Sequence, residues 1–184
     1  TLHQVDALHS DCYRDLRLAQ GWGFEAGKPG LVVPGAGGIQ MDTFYPPDEN
    51  LPDAQRQPLS VINPRGIRAY VRNDVFFRSI RLVAQQLPEV KFFCPAMAGD
   101  VQAEKWVREL EIEANTCLLP KQSHLDMADL FRRACVVVSP SVHDGTPNTL
   151  LEAMASGCFP VAGDLESLRE WIEPNENGLL VDPN

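Results

Sequence analysis

The chain has 184 residues, enough for one domain with a substantial core, and at 44% hydrophobic and 22% charged it has the composition of an ordinary globular protein. Sixteen basic against 25 acidic residues leave a formal charge of −9, which argues against a general attraction to nucleic acid or to an anionic membrane, so any anion site has to be local. The longest apolar runs, CVVVSP and VKFFCP, are far too short to span a bilayer, and no charged segment followed by an apolar one opens the chain. The expectation is a cytoplasmic protein without a nucleic-acid partner, touching membrane only through regions outside this chain, with TLHQ read as an internal start. The five cysteines, Cys12, Cys94, Cys117, Cys135 and Cys158, include no C-x-x-C pair, and four lie in or beside apolar strand candidates. They are expected as buried thiols rather than a disulfide framework or a zinc site.

In chain order, residues 5–20 have helical spacing, with Leu8, Cys12, Leu16 and Leu18–Ala19 as the apolar stripe, and LVVP follows as a short strand. GAGGIQMDTFYPPDENLPDAQRQP reads as a linker from its Gly, Pro and polar content. From Leu59 the pattern becomes regular. The strand candidates LSVIN, VKFFC, TCLLP, CVVVS, FPVAG and GLLVD alternate with the helical patterns NDVFFRSIRLVAQQL, DVQAEKWVRELEIE, SHLDMADLFRRA, PNTLLEAMAS and LESLREWI. Ser123 with Asp126 resembles a capping box, and Gly157 stands where a helix commonly stops. Strands apolar on both faces belong in a parallel sheet covered on each side, so the predicted fold is α/β, a doubly wound, Rossmann-like domain.

Ligands of such sheets bind beyond the carboxyl ends of the strands. After CVVVSP comes the loop SVHDG and a helix start at TPNT, with Thr146 as N-cap and Pro147 at the first helical position. The amides of Asn148 and Thr149 would then point out of the helix end with the dipole behind them, a ready place for a phosphate. Within the helix, Glu152 is a lone carboxylate among Leu150, Leu151, Ala153, Met154 and Ala155, which is costly unless it is paired. It lies one turn in from Asn148 and Thr149 and can accept from the two hydroxyls of a ribose; the alternative is a salt bridge to a nearby Arg. A second cluster, NPRGIRAYVRND, puts Arg65, Arg68 and Arg72 in a loop after the first strand of the regular region, and guanidinium groups suit phosphate oxygens. Together the two loops could enclose a diphosphate.

These residues, in this order, resemble the C-terminal, donor-binding half of a retaining glycosyltransferase of family 4 with GT-B architecture. VVPGAGGIQMDTFYPP is similar to that family's inter-domain segment, NGLLVDP to its late strand, and LLEAMASG to the helix carrying its second acid. Asp144 and Glu152 hold the places of its two glutamates separated by seven residues. The resemblance implies that residues 1–35 end the N-terminal domain or lead in from it, that 36–58 form the linker, and that 59–184 form a nucleotide-sugar-binding domain truncated at its C-terminus. It implies that Glu152 holds the ribose, that Asp144 and the backbone from Gly145 to Thr149 contact donor sugar and diphosphate, and that Arg65 and Arg72 neutralise the leaving diphosphate, with Arg68 an additional candidate. Lys121 and Gln122 lie where the family places its base.

The implied activity is sugar transfer from a UDP, GDP or ADP sugar, of hexosyltransferase type, without metal or other cofactor and in partnership with an N-terminal acceptor-binding domain. The fragment alone is expected to be inactive. A nucleotide-sugar epimerase or hydrolase of the same fold, or a catalytically silent sugar-nucleotide-binding module, is the alternative. The sequence departs from the family pattern in having Asp144 for Glu, Pro64 before Arg65 in place of Gly, Arg72 for Lys, and CPAMAG for a Gly-rich loop.

Overall fold

The computed structural model describes residues 1–33, 38–48 and 59–183. The chain opens with a small βαβ unit: strand β1 (Leu8–Ser10) runs parallel to β2 (Gly30–Val32), and helix α1 (Tyr13–Gly21) connects them. The helix expected over residues 5–20 is therefore a strand followed by a shorter helix. Leu8, at the head of the supposed stripe, pairs with Gly30 in the sheet, and a strand partner that distant leaves no trace in local periodicity.

The remaining elements alternate as the sequence pattern requires: β3 (Ser60–Ile62), α2 (Asn73–Gln86), β4 (Lys91–Cys94), α3 (Val101–Leu110), β5 (Thr116–Leu118), α4 (His124–Arg133), β6 (Val136–Ser139), α5 (Asn148–Ala155), β7 (Phe159–Gly163) and β8 (Leu179–Val181). The six strands form one wholly parallel sheet in the order β5-β4-β3-β6-β7-β8. This is the doubly wound, Rossmann-like α/β fold expected from the sequence.

Strand alternation divides the core in two. Phe92 faces Phe76, Phe77 and Ile80 of α2 with Ala103 and Val107 of α3, whereas its neighbour Phe93 joins Ala128, Leu130 and Phe131 of α4 with Leu150 and Ala153 of α5. Both faces are thus covered, which is why the strands are apolar throughout. Ser123 caps α4, its Oγ accepting from the Asp126 N–H, and Gly157, at φ +83°, ends the turn after α5.

Two further details differ from the sequence reading. LESLREWI forms consecutive turns rather than a helix, although its spacing does bury Leu168 and Ile172. Its backbone closes on itself through Leu168 N–H to Leu165 O (2.9 Å) and Ile172 N–H to Leu168 O (2.9 Å), while Ser167 Oγ donates to Asp144 O (2.7 Å) and the Glu170 carboxylate accepts from the Tyr13 N–H (3.0 Å). The segment expected as a linker is partly core: Phe44 is fully buried, edge-on to His124 at 4.7 Å and near Phe131 at 6.1 Å. Positions 34–37 and 49–58 of the stretch read as β2 end and linker lie outside the described residues.

Candidate functional site at the β3–β6 seam

β3 and β6 are neighbours in the sheet although β4 and β5 lie between them in the chain, and the helices that follow them cover opposite faces. Their adjoining carboxyl ends form the topological switch point, where such sheets open a crevice. The two loops leaving it, 63–72 and 140–147, clasp each other through the backbone: Arg72 N–H donates to Pro140 O (2.8 Å) and Val142 N–H to Tyr70 O (2.9 Å), beside an antiparallel bridge between Val71 and Ser141.

The arginine loop is built on two buried asparagines. Asn63 Oδ1 accepts from the Arg65 N–H (3.2 Å), Asn63 Nδ2 donates to Asn73 Oδ1 (3.0 Å), and Asn73 Nδ2 donates to Gly66 O (3.0 Å). Gly66 takes φ +64°, a left-handed turn that costs glycine little. So braced, Arg65 reaches across the seam, with Nη2 3.0 Å from Asp144 Oδ2 and both side chains only 12% exposed. Tyr70 flanks the guanidinium, its ring centroid 5.7 Å away. Arg65 Nε, the Asp144 Oδ2 contact atom, Ser139 Oγ and Ser141 Oγ are buried without a hydrogen-bond partner among the described residues. The Arg65–Asp144 contact is thus a charge pair without hydrogen-bond alignment.

The three arginines do not form one cluster. Arg68 is exposed and braces its own loop, donating from Nε to Arg65 O (3.0 Å) and from Nη1 to Tyr70 Oη (3.0 Å). Arg72 precedes α2 and grips Asp74 with Nε (3.0 Å) and Nη2 (3.2 Å), while Nη1 donates to Pro183 O (3.1 Å). The hydrogen bond from Arg72 holds the Asp74 carboxyl below its ordinary pKa, against the opposing effect of burial, and in return raises that of Arg72. Only Arg65 of the three meets Asp144.

On the other side of the seam, α5 begins one residue later than the sequence suggests. Pro147 is the N-cap, without a side-chain capping bond, and the Asn148 N–H donates to Thr146 O (3.1 Å). Thr146 is not the cap, because its hydroxyl donates to Asp11 O in the β1–α1 unit. The outward donor left at this tip is the Thr149 N–H, which in the first turn has no intrahelical acceptor. Gly145 faces the same unit: a Cβ there would lie 3.8 Å from Asp15 Oδ2 and 4.0 Å from Asp11.

Glu152 is 19% exposed, and its Oε1 lies 3.5 Å from His124 Nε2, at the amino end of α4. The partner considered from sequence was an arginine; here it is a half-exposed histidine, charged only when protonated. Lys121 is exposed, and Gln122 Nε2 donates to Pro120 O (2.7 Å), both in the loop entering α4. The fold thus brings Arg65, Asp144, Gly145 and Thr146 together at the seam, with Glu152 deeper in α5 and Lys121 and Gln122 on the α4 side. Arg72 turns toward Asp74 and Pro183. Sequence reasoning missed Asn63 and Asn73, Tyr70 and His124. Only Asn63 carried a local signal, as a polar residue ending an apolar strand just before Pro-Arg-Gly.

Among the described residues no group of three or more His, Cys, Asp or Glu side chains could hold a metal ion. Residues 62–184 match the family model described as glycosyl transferases group 1. The chain is 31% identical over 157 residues to the D-inositol 3-phosphate glycosyltransferases of Mycobacterium bovis and Mycobacterium tuberculosis, matching 78% of itself and 31% of their length. It therefore spans about a third of the curated relatives it matches. The pneumococcal O-GlcNAc transferase GtfA, solved in complex with UDP and GlcNAc, superposes with a TM-score of 0.81 at 18% identity, over 97% of this chain and 34% of that one. The C-terminal domain of the group 1 family protein LpcC from Francisella tularensis superposes at 0.66 and 21% identity, over 79% and 80%. At these identities the structural likeness concerns the fold, which is that of GT-B glycosyltransferases. With two thirds of its length matched by the family model, the chain belongs to the glycosyl transferases group 1 family.

Proposed function

We propose that the chain is the donor-binding half of a glycosyltransferase that moves a hexosyl group, with retention of configuration, from a nucleoside diphosphate sugar to an acceptor. The observation that carries this reading is the meeting of Arg65 and Asp144 at the switch point, 3.0 Å apart and nearly buried, with polar atoms around them that have no hydrogen-bond partner among the described residues. Buried polar groups of that kind are ordinarily satisfied, and here a ligand's oxygens would do so. Arg65 neutralises the diphosphate as its bond to the sugar breaks, Asp144 contacts the sugar, the Thr149 amide at the α5 tip supports a phosphate oxygen, and Glu152 accepts from the ribose. Lys121 and Gln122 border the base. Arg68 and Arg72 contribute charge from the rim, and the hydrogen bonds of Arg72 to Asp74 and Pro183 make it the weaker participant.

GtfA was solved with UDP, which supports a nucleoside diphosphate as the ligand class. Because the chain spans 31% of its curated relatives, transfer is proposed for the intact protein, with residues 1–35 belonging to or leading from the acceptor-binding part and 59–184 forming the donor domain. This chain alone is expected to transfer nothing, and a cytoplasmic site of action is proposed.

Calorimetric titration of the intact protein with UDP, GDP and ADP tests the reading and identifies the base. One of the three is expected to bind, with Glu152→Ala lowering affinity more than Arg68→Ala. No binding of any nucleotide, or the reverse order of the two variants, refutes the assignment.

A further inference from the structure

The Asp144 carbonyl oxygen is held by two donors from distant parts of the chain. Arg14 Nη1 of α1 donates to it at 2.6 Å, and Ser167 Oγ, in the β7–β8 connection, at 2.7 Å. A carbonyl has two lone-pair directions, and both are engaged. One of the bonds is charge-assisted, the stronger kind.

Arg14 is itself held in place. Asp15 Oδ1 accepts from its Nε (2.9 Å) and Nη2 (2.7 Å), which leaves Nη1 for the carbonyl, and the side chain is 17% exposed. The backbone N–H groups of Tyr13 and Arg14 donate to the Glu170 carboxylate at 3.0 and 3.4 Å, so the amino end of α1 is docked on the same connection that carries Ser167. The hydroxyl of Thr146 donating to Asp11 O and the ion pair of Arg17 with Glu166 complete the contact of the β1–α1 unit with these loops.

The position of Asp144 is therefore not set by β6 and α5 alone. Its peptide unit precedes Gly145, a residue with wide backbone freedom, and no helix or strand includes it. We propose that Arg14 is a positioning residue: by fixing the Asp144 carbonyl it sets the direction in which the Asp144 carboxylate meets Arg65 and the donor, and so makes the geometry of the donor site depend on the docking of the β1–α1 unit. Arg14 lies outside the 62–184 stretch matched by the family model. The inference rests on the role given to Asp144 above.

Arg14→Ala, Arg14→Lys and Ser167→Ala in the intact protein test it, by amide hydrogen exchange and by turnover of UDP-glucose, UDP-N-acetylglucosamine and GDP-mannose. In Arg14→Ala, exchange in the segment 141–149 is expected to rise about tenfold while that of β6 is unchanged, since one strong tether of the loop is gone. The kcat is expected to fall about 10- to 100-fold, as for a misplaced catalytic group, with the Kd for UDP or GDP nearly unchanged. Lys, which can also donate to the carbonyl, recovers part of kcat, and Ser167→Ala reproduces the pattern more weakly. Unchanged exchange in 141–149 in both Arg14→Ala and Ser167→Ala overturns the inference whatever the activity. Accelerated exchange with unaltered kcat overturns the positioning role alone. Failure of the wild-type protein to bind any nucleoside diphosphate would instead strike the donor-site reading, while the exchange result still judges the tether.

Discussion

Arg65 and Asp144 face each other across the β3–β6 seam at 3.0 Å, each 12% exposed, so each neutralises a charge that the other would otherwise leave nearly buried. Removing one partner is costlier than removing both, because the survivor keeps its desolvation penalty. Arg65→Ala is expected to destabilise the domain by about 3 kcal/mol, the lower end for a broken buried pair. Arg65→Ala with Asp144→Asn is expected to recover part of that loss. Urea unfolding of the two variants checks both statements, and equal or greater destabilisation in the double variant contradicts them.

Asp74 gives the fold a predictable acid response. Its carboxyl is depressed by the hydrogen bond from Arg72, so the pair contributes stability fully above the unfolded-state pKa of about 3.9 and loses it as pH falls through the lower native value. The stability gap between wild type and Asp74→Asn should be constant from neutral pH down to about 4 and close below it. Parallel denaturant titrations across that range measure the gap, and a gap that widens on acidification contradicts the assignment.

Gly163 ends β7 against the loop that carries Asp144. A methyl group there would lie 2.4 Å from Ser141 O, a backbone atom that cannot swing aside. Gly163→Ala is therefore expected to cost about 1–3 kcal/mol as an overpacked core position does. The displaced 140–144 backbone should also weaken nucleotide binding, which calorimetry on the folded variant would detect.

Phe44 ties the segment after β2 to the α4 face of the core. Its fully buried ring predicts a loss of about 3–5 kcal/mol in Phe44→Ala. A loss below about 1 kcal/mol by chemical denaturation would mean that this segment rests on the domain without anchoring it.

Cys94 is buried in the α2–α3 half of the core, and burial pushes its thiol far above the usual range. Alkylation by iodoacetamide at pH 8 is expected at Cys94 only after unfolding, because the thiolate is the reacting species. Peptide mapping of native and denatured samples distinguishes the two cases.

Much of this architecture was legible in the residues. The strands from β3 to β8 and the helices from α2 to α5 announce themselves by apolar runs and helical spacing, because burial on both faces of a parallel sheet acts on each element separately. The acid pair Asp144 and Glu152, the LLEAMASG helix and the arginine loop were visible for the same reason: each is a local pattern around one strand end. What the chain could not display was anything requiring a partner far along it. β1 is a strand only because Gly30–Val32 lies beside it, and LESLREWI stops short of a helix where Ser167 and Glu170 are drawn to Asp144 and to the amides of α1. The division of the three arginines, one to Asp144, one to its own loop and one to Asp74, was settled by the clasp of two loops that sheet order makes neighbours. Local spacing selects which elements form and which chemistry sits at their ends; which of those end groups touch is decided by strand order, since only the closed sheet sets the distances between them.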